Sequence, residues 1–223
     1  MRRRLGKLAL LMAMMLPDGA RCAWAPPFPA DGMEPVFAGE GEINGVPAQF
    51  AVWAAGGVAM TLATSIEMAG WSAAAVPGRL LAVPAGAVRL RAFRLGARWL
   101  ILAVPDGAGQ VAAAAWFDRR PQWAGPAGGD APGREPAGWP RLAAAHRLLH
   151  LRGVGFEAAC YRTAAGAEEV VAEAGRRLPA AGWRVTRTDP ASLAAWRPGA
   201  PDVALRALAQ PDGALFLVLA TRS

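Results

Sequence analysis

Two histidines four residues apart are the first candidates for chemistry in this sequence. His146 and His150 would face the same side of a helix, as metal-binding imidazoles do in zinc sites. The residues between them, Arg147, Leu148 and Leu149, do not supply the glutamate of a His-Glu-x-x-His metalloprotease. A structural zinc ion would need two further ligands, and the neighbouring sequence offers none. We therefore predict no metal site and interpret the pair as the solvated end of a helix, keeping both histidines as weak candidate ligands.

The potential nucleophiles and acids lack the surroundings that catalysis needs. The sequence contains no Gly-x-Ser-x-Gly elbow and no glycine pattern that cradles phosphate. Cys160 lies in a segment typical of a strand interior, where a thiol is usually inert, so we do not expect a dyad with His146 or His150. Glu40 and Glu42 share one face of a predicted strand, as a glycosidase pair could, but charge at an exposed strand edge is the simpler interpretation. We predict no catalytic residue and no cofactor.

The start of the chain has the three parts of a secretory signal peptide. Residues 1–7 are cationic, residues 8–16 are apolar, and the small residues Ala23 and Ala25 occupy the −3 and −1 positions of a cleavage site. As a helix the apolar run would rise only about 14 Å, well short of the roughly 30 Å hydrocarbon core, which disfavours an uncleaved membrane anchor. We expect cleavage after Ala25 and a mature protein that is periplasmic or secreted, without stable membrane insertion.

Charge and cysteine content narrow the choice of partners. The whole chain carries +7, but removal of residues 1–25 leaves 19 basic and 16 acidic residues, a charge of +3. The arginines are scattered, with doublets only at residues 119–120 and 176–177, whereas nucleic-acid binding requires a basic stripe. After cleavage the remaining cysteine is Cys160, which excludes an internal disulfide. We predict no nucleic-acid partner.

The chain aligns with itself around a repeated tripeptide. Ala-Gly-Trp occurs three times in the sequence, and the copies at residues 69–71 and 181–183 each follow a predicted helix. Residues 44–54 can be placed over residues 152–162 with a glycine, a valine and an aromatic residue in register. Similarity of this kind indicates a repeated structural unit. We therefore predict an α+β fold with two similar ββαβββ units, each an antiparallel sheet with one packed helix.

Each predicted unit begins with a β-hairpin. The first hairpin turns at Asn44-Gly45, the strongest turn signal for two adjacent strands, and the second turns at Gly153. A helical stretch over residues 141–149 is predicted to lead into the second hairpin.

A helix follows each hairpin. The first is predicted over residues 57–68, and the second is predicted to begin near Thr163 as its N-cap. Residues 100–104 and 215–219 are apolar without alternation, which indicates strands covered on both faces. Helical spacing predicts four residues on the buried face of the second helix: Val170, Val171, Ala174 and Leu178.

A segment rich in proline and glycine separates the two units. Its composition excludes regular secondary structure, yet it contains Trp123 and Trp139. A tryptophan in such a segment either packs back on a domain, which we favour, or contacts a partner, so both are candidate partner-binding residues. The predicted organisation is a signal peptide (1–25), an extended N-terminal segment (26–37), a first unit (38–117), a linker (118–140) and a second unit (141–223).

The second unit contains a strand-helix-strand pattern that resembles the sporulation-related repeat. The pattern consists of residues 155–163, the Ala- and Glu-rich helix after them, Leu178, and the tripeptide at residues 181–183. Proteins of that family are exported and bind denuded glycan strands of peptidoglycan, so the resemblance implies glycan binding. The usual second half of the repeat is missing, because residues 203–221 are typical of a simple hairpin.

The function expected from these patterns is binding. The sequence combines an export signal, a repeated unit and hydrophobic strands, and no convergent polar cluster can be recognised in it. We expect a non-catalytic scaffold or accessory protein of the cell envelope that binds protein partners. A peptidoglycan- or glycan-binding module is the alternative, and an uncharacterised hydrolase is a third hypothesis.

Overall fold

The structure is a computed structural model that describes most of the chain. The described residues are 26–28, 34–54, 58–75, 88–105, 111–119, 129–142 and 144–222. They contain twelve strands and two α-helices, which confirms a sheet-rich α+β fold. They separate into two compact units, one up to Pro121 and one from Gln122 onward, with Ile43–Gly45 assigned to the second. The predicted signal peptide, residues 1–25, lies outside the described residues.

The first unit is an antiparallel sheet of six strands with one helix. Its strands are arranged in the order β3-β4-β5-β6-β2-β1. The β1–β2 hairpin turns at Asn44-Gly45, as predicted, and both residues have positive φ angles, 49° and 74°. In chain order the elements are β1 (Phe37–Ile43), β2 (Val46–Ala54), α1 (Val58–Met68), β3 (Ser72–Ala74), β4 (Val88–Leu95), β5 (Arg98–Pro105) and β6 (Val111–Phe117).

The second unit repeats this sequence of elements. Its strand order is β7-β8-β12-β11-β10-β9, which matches the order in the first unit when the strands of each unit are counted from its start. In chain order the elements are β7 (His146–Gly153), β8 (Phe156–Thr163), α2 (Ala167–Ala180), β9 (Arg184–Asp189), β10 (Ser192–Trp196), β11 (Asp202–Gln210) and β12 (Gly213–Thr221).

The repeated Ala-Gly-Trp tripeptide ends the helix in both units. The glycines, Gly70 and Gly182, have φ angles of 83° and 81°, a left-handed conformation that glycine adopts at no steric cost. The amides of Trp71 and Trp183 donate to the carbonyl five residues earlier, at 3.3 Å and 3.0 Å. This is the hydrogen bond of a Schellman cap, and both tryptophans are 3 % exposed. The tripeptide therefore stops each helix and places a large apolar side chain in each core.

The buried positions confirm several predictions. Leu100 to Leu102 in β5 are all buried, as are Leu215 and Phe216 in β12, so adjacent side chains are covered on both faces of these strands. The predicted inner face of α2 is also confirmed, because all four of its residues are buried: Val170, Val171, Ala174 and Leu178.

Four predictions about the elements are wrong. The second hairpin turns at Val154-Gly155 and not at Gly153, which is the last residue of β7 and pairs with Phe156. Four strands follow each helix, whereas three were predicted. Strands β9 and β10 were missed, and β6 was missed because that strand is mostly alanine, which has low strand propensity. Thr163 does not cap α2: it pairs with Ala214 in the sheet, and Gly166 is the N-cap. The helix predicted over residues 141–149 is replaced by irregular chain and by β7, since pairing with β8 overrides local helix propensity.

None of the helices in the described residues is both long enough and apolar enough to cross a membrane.

Candidate functional site

A β-bulge in β7 determines which side chains of the second unit meet. Arg147 is paired with Tyr161 of β8 and His150 with Ala159, and the register shifts between them. Tyr161 and Ala159 are two residues apart and share a face, so their partners share it as well. Residues three apart in a regular strand would point to opposite faces, and the one extra residue of the bulge brings Arg147 and His150 together.

An irregular segment, residues 129–142, covers this face, and we refer to it as the strap. It contains one short 3₁₀ turn at Pro136–Gly138 and no strand or α-helix. Ala131 and Trp139 are 0 % and 2 % exposed, and Trp139 packs in the same core as α2. The amide of Ala131 donates to the carbonyl of Arg147 at 2.7 Å. The strap is therefore packed against the sheet of the second unit.

Arg147 joins the sheet to the strap through a buried guanidinium. Its side chain is 8 % exposed. Nε donates to the carbonyl of Ala131 at 3.0 Å, Nη2 to that of Gly133 at 2.8 Å, and Nη1 to the carboxylate of Glu135 at 2.9 Å. The hydroxyl of Tyr161 donates to the other oxygen of Glu135. Each Glu135 oxygen therefore accepts a hydrogen bond from the sheet, and burial together with the Glu135 contact raises the pKa of Tyr161.

A second ion pair fixes the two ends of the strap to one another. Arg141 binds the carboxylate of Asp130 and also donates to the carbonyl of Ala145. Asp130 accepts a further hydrogen bond from the amide of Arg147 at 2.8 Å. The hydrogen bond from Arg141, followed by that from Arg147, outweighs burial and lowers the pKa of Asp130. Asp130 is therefore ionised in this pair.

His150 and Glu157 form the third part of the cluster. His150 is 2 % exposed, and its Nε2 lies 3.1 Å from Oε1 of Glu157. Burial lowers the pKa of His150 despite the neighbouring carboxylate, so the imidazole is neutral at pH 7. Glu157 also accepts hydrogen bonds from Nε of Arg134 at 2.7 Å and from the amide of Ala137 at 3.2 Å. Burial works to raise the pKa of Glu157, but these hydrogen bonds outweigh it and leave the pKa lowered.

The residues singled out in the sequence do not form one site. His146 is exposed and lies on the face opposite to buried His150, so the structure separates the two weak metal-ligand candidates. Burial raises the pKa of Cys160 to about 12, which keeps it a thiol. Glu40 and Glu42 both lie on β1, exposed and half-buried respectively. Among the residues that the structure describes, no three His, Cys, Asp or Glu side chains are grouped as metal ligands.

The two tryptophans of the predicted linker differ. Trp123 lies outside the described residues. Trp139 packs back on the second unit, which is the favoured of the two alternatives that its sequence context allowed. As a buried residue it offers no surface to a partner in this conformation.

A groove of about 570 Å³ opens beside the strap in the second unit. Its three arginines and two glutamates come from segments far apart in sequence, and the rest of its lining is small or apolar. Its lining residues are Arg134, Glu135, Ala137, Gly138, Arg152, Gly153, Gly155, Phe156, Glu157, Pro201, Ala220 and Arg222.

The cluster corrects one expectation from the sequence. We expected no convergent polar cluster, yet ionisable side chains of the strap, β7 and β8 meet on one face of the sheet. Their separation in sequence conceals them, because the bulge and the path of the strap bring them together. The only sequence signal is the run of charged residues within a Pro/Gly-rich segment, at Asp130, Arg134, Glu135 and Arg141.

Comparison of the chain with protein-family models, curated proteins and solved structures returns no match.

Proposed function

We propose that this protein is an exported, non-catalytic scaffold of the cell envelope that binds protein partners. The observation that best supports its non-catalytic part is the pairing within the ion cluster, and the export part rests on the predicted signal peptide. Asp130, Glu135 and Glu157 each contact an arginine and at least one further donor. These groups hold the strap on the sheet, so their carboxylate oxygens serve as acceptors of structural hydrogen bonds.

The titratable groups support the same conclusion. A general acid or base works best when its pKa lies near the working pH and when it can reach the substrate. His150 is buried with a lowered pKa, Cys160 is buried with a raised one, and both carboxylates with resolved shifts, Asp130 and Glu157, have lowered pKa values. Each shift therefore moves the group away from neutral-pH proton transfer.

We also propose that the two units arose by duplication. Their elements follow one another in the same order, their strands have the same order in the sheet, and their helices end in the same Schellman cap. A scaffold built from two copies of one unit can present related surfaces to its partners.

The decisive experiment captures a partner and then reconstitutes the complex. The full chain with a C-terminal affinity tag is expressed in its own host and cross-linked in the cell, and its mature N-terminus is read by mass spectrometry. We expect an N-terminus at Pro26 and a co-purified envelope protein that forms a stoichiometric complex with the purified mature protein. An unprocessed N-terminus, or no partner that re-binds in purified form, would contradict the proposal.

The alternatives are tested with the same purified protein. Glycan binding predicts co-sedimentation with purified peptidoglycan, whereas a protein scaffold is expected to remain in the supernatant. A hydrolase predicts an activity that is lost in His146→Ala, His150→Gln or Cys160→Ala variants. We expect these variants to keep partner binding as long as they remain folded.

A further inference from the structure

The groove beside the strap has a chemical character that points to a ligand class. Arg134, Arg152 and Arg222 line it together with Glu135 and Glu157, so the formal charge of its lining is +1. The two carboxylates are already engaged: Glu157 by Arg134, His150 and the strap backbone, and Glu135 by donors that reach it from the sheet. Arg134 is engaged as well, but a guanidinium carries five N–H donors, so it can keep its bond to Glu157 through Nε and still donate to an incoming anion.

The positions of these arginines are fixed by the fold. Arg134 is held by its hydrogen bond to Glu157, while its side chain remains 65 % exposed. The amide of Arg222 donates to the carbonyl of Gly155 at 2.9 Å, which places the end of β12 beside the β7–β8 turn. Arg152 lies in β7, two residues before that turn, and pairs with Glu157 of β8. Three guanidiniums thus border one groove on well-supported backbone.

The rest of the lining suits an extended peptide. Ala137, Phe156 and Pro201 supply apolar contacts. The ring of Phe156 lies directly over Gly153, where a Cβ would come within 2.2 Å of it, so the glycine allows the ring to lie flat against the groove wall. A volume of about 570 Å³ falls in the range of ligand sites and accommodates a few side chains. Apolar contacts between guanidiniums match a chain that alternates acidic and apolar residues.

We propose that this groove binds an acidic, extended peptide segment of a protein partner, with carboxylates on Arg134, Arg152 and Arg222 and apolar side chains on Phe156 and Pro201. The inference rests on the proposed scaffold function and names its binding surface. Guanidinium–carboxylate pairs provide the specificity, since arginine donates to a carboxylate in a fixed fork geometry.

The test uses the full mature protein and a fluorescein-labelled peptide of alternating glutamate and leucine. Fluorescence anisotropy is expected to show saturable binding that weakens as sodium chloride is raised. The same peptide with glutamine in place of glutamate is expected to bind at least about tenfold more weakly. Equal binding of the two peptides, or no binding of the acidic one, would overturn the proposal.

Charge-reversal variants locate the binding. The double variant Arg152→Glu, Arg222→Glu is expected to weaken peptide binding at least about tenfold. The matched control, Arg119→Glu with Arg176→Glu, makes the same change in net charge at exposed positions outside the groove and is expected to bind like the wild type. An equal loss in both would show a non-specific charge effect and overturn the proposal. Arg222→Ala alone, with unfolding followed by circular dichroism, separates lost binding from lost folding.

The outcomes distinguish this inference from the scaffold function. If a captured partner binds the groove variant as well as the wild type, the groove assignment fails and the scaffold function stands. If no partner exists, the scaffold function fails. If soluble peptidoglycan fragments displace the labelled peptide and bind more tightly, the groove belongs to a glycan ligand and the peptide proposal is wrong.

Discussion

The two units close the helix-bearing face of the sheet in opposite ways, although the closing segment precedes the first hairpin in both. In the first unit Phe28 packs between Trp53 and Trp116, with ring centroids 6.2 Å and 6.3 Å away, and Trp71 donates to the carbonyl of Pro27. In the second unit the strap closes this face through Trp139 and through the ion pair between Arg147 and Glu135. The segment before the first hairpin thus makes aromatic contacts in one unit and buried charged contacts in the other.

The aromatic contacts and the ion pairs contribute to stability in different ways. Burial of aromatic surface is favourable without requirements on partners, at about 25 cal/mol per Å². Buried charges lose hydration, so an ion pair contributes little net stability, but removal of one member is costly because the other remains unpaired. The aromatic closure therefore tolerates small changes in the path of the chain. The ionic closure requires one particular path of the strap, because each charge needs its partner.

The largest expected effect comes from Arg147→Ala. It leaves the half-buried Glu135 with only the longer ion pair to Arg141, at 3.8 Å, and removes two hydrogen bonds to strap carbonyls, so we expect a loss of about 3–4 kcal/mol in the free energy of unfolding. Hydrogen exchange resolved by peptide is expected to show the strap opening first. The double variant Arg147→Met, Glu135→Leu removes both charges and is expected to be distinctly more stable than Arg147→Ala. Equal stability of the two variants would contradict the unpaired-charge argument.

Phe28→Ala tests the aromatic closure of the first unit. The side chain is 4 % exposed, and its removal leaves a cavity between two tryptophans, so we expect a loss of about 3 kcal/mol. Increased hydrogen exchange should be confined to the first unit. Val36→Ala, at a 59 % exposed position in the same N-terminal region, is the control and should change stability by less than about 0.5 kcal/mol.

Gly133→Ala tests how closely the strap approaches the sheet. Gly133 has a φ angle of 134°, and a Cβ there would lie 2.5 Å from His150, so backbone strain and a clash combine to about 2 kcal/mol or more. Gly138→Ala is the matched control, since φ is also positive, 71°, but no atom lies within 4 Å of its Cβ. We expect the control to lose less stability in urea unfolding. Equal losses would show that the His150 contact does not matter.

The smallest expected effect is the pH dependence due to His150. Its folded-state pKa is lowered below the ordinary 6.5, so the unfolded chain takes up a proton first as the pH falls. Its contribution to stability is complete above pH 6.5 and is lost as the pH falls from there toward the folded-state pKa. Urea unfolding between pH 8 and pH 5 should show this loss in the wild type and less of it in His150→Gln. His146→Gln, at an exposed position, should behave like the wild type.

The sequence predicted the parts of the fold that local chemistry determines. Asn44-Gly45 marks the first hairpin, and the glycine before Trp71 and Trp183 marks the helix ends, because few residues adopt those backbone angles. The inner face of α2 followed from spacing alone. These features depend on neighbours in the chain and are therefore visible without a structure.

The candidate site depends on contacts that are distant in sequence, and it was missed. His146 and His150 would share a face if the segment were helical. The segment is strand β7, and its bulge puts the two side chains on opposite faces of the sheet. The strap was predicted as a linker because its proline and glycine exclude regular structure, a correct inference that says nothing about packing. Ion pairs such as Glu135 with Arg147 join segments that no periodicity connects.

The bulge in β7 also gives the strand a tolerance for changes in length. Leu148 is the residue without a partner on β8, so a homologue that lacked it would pair as a regular ladder and still hold Arg147 and His150 side by side. Loss of Leu149 gives the same sequence, whereas loss of a residue between His150 and Gly153 would move His150 by one position, to the face opposite to Glu157. Deletions in this strand should therefore be accepted during evolution at the leucine pair and rejected between His150 and the turn.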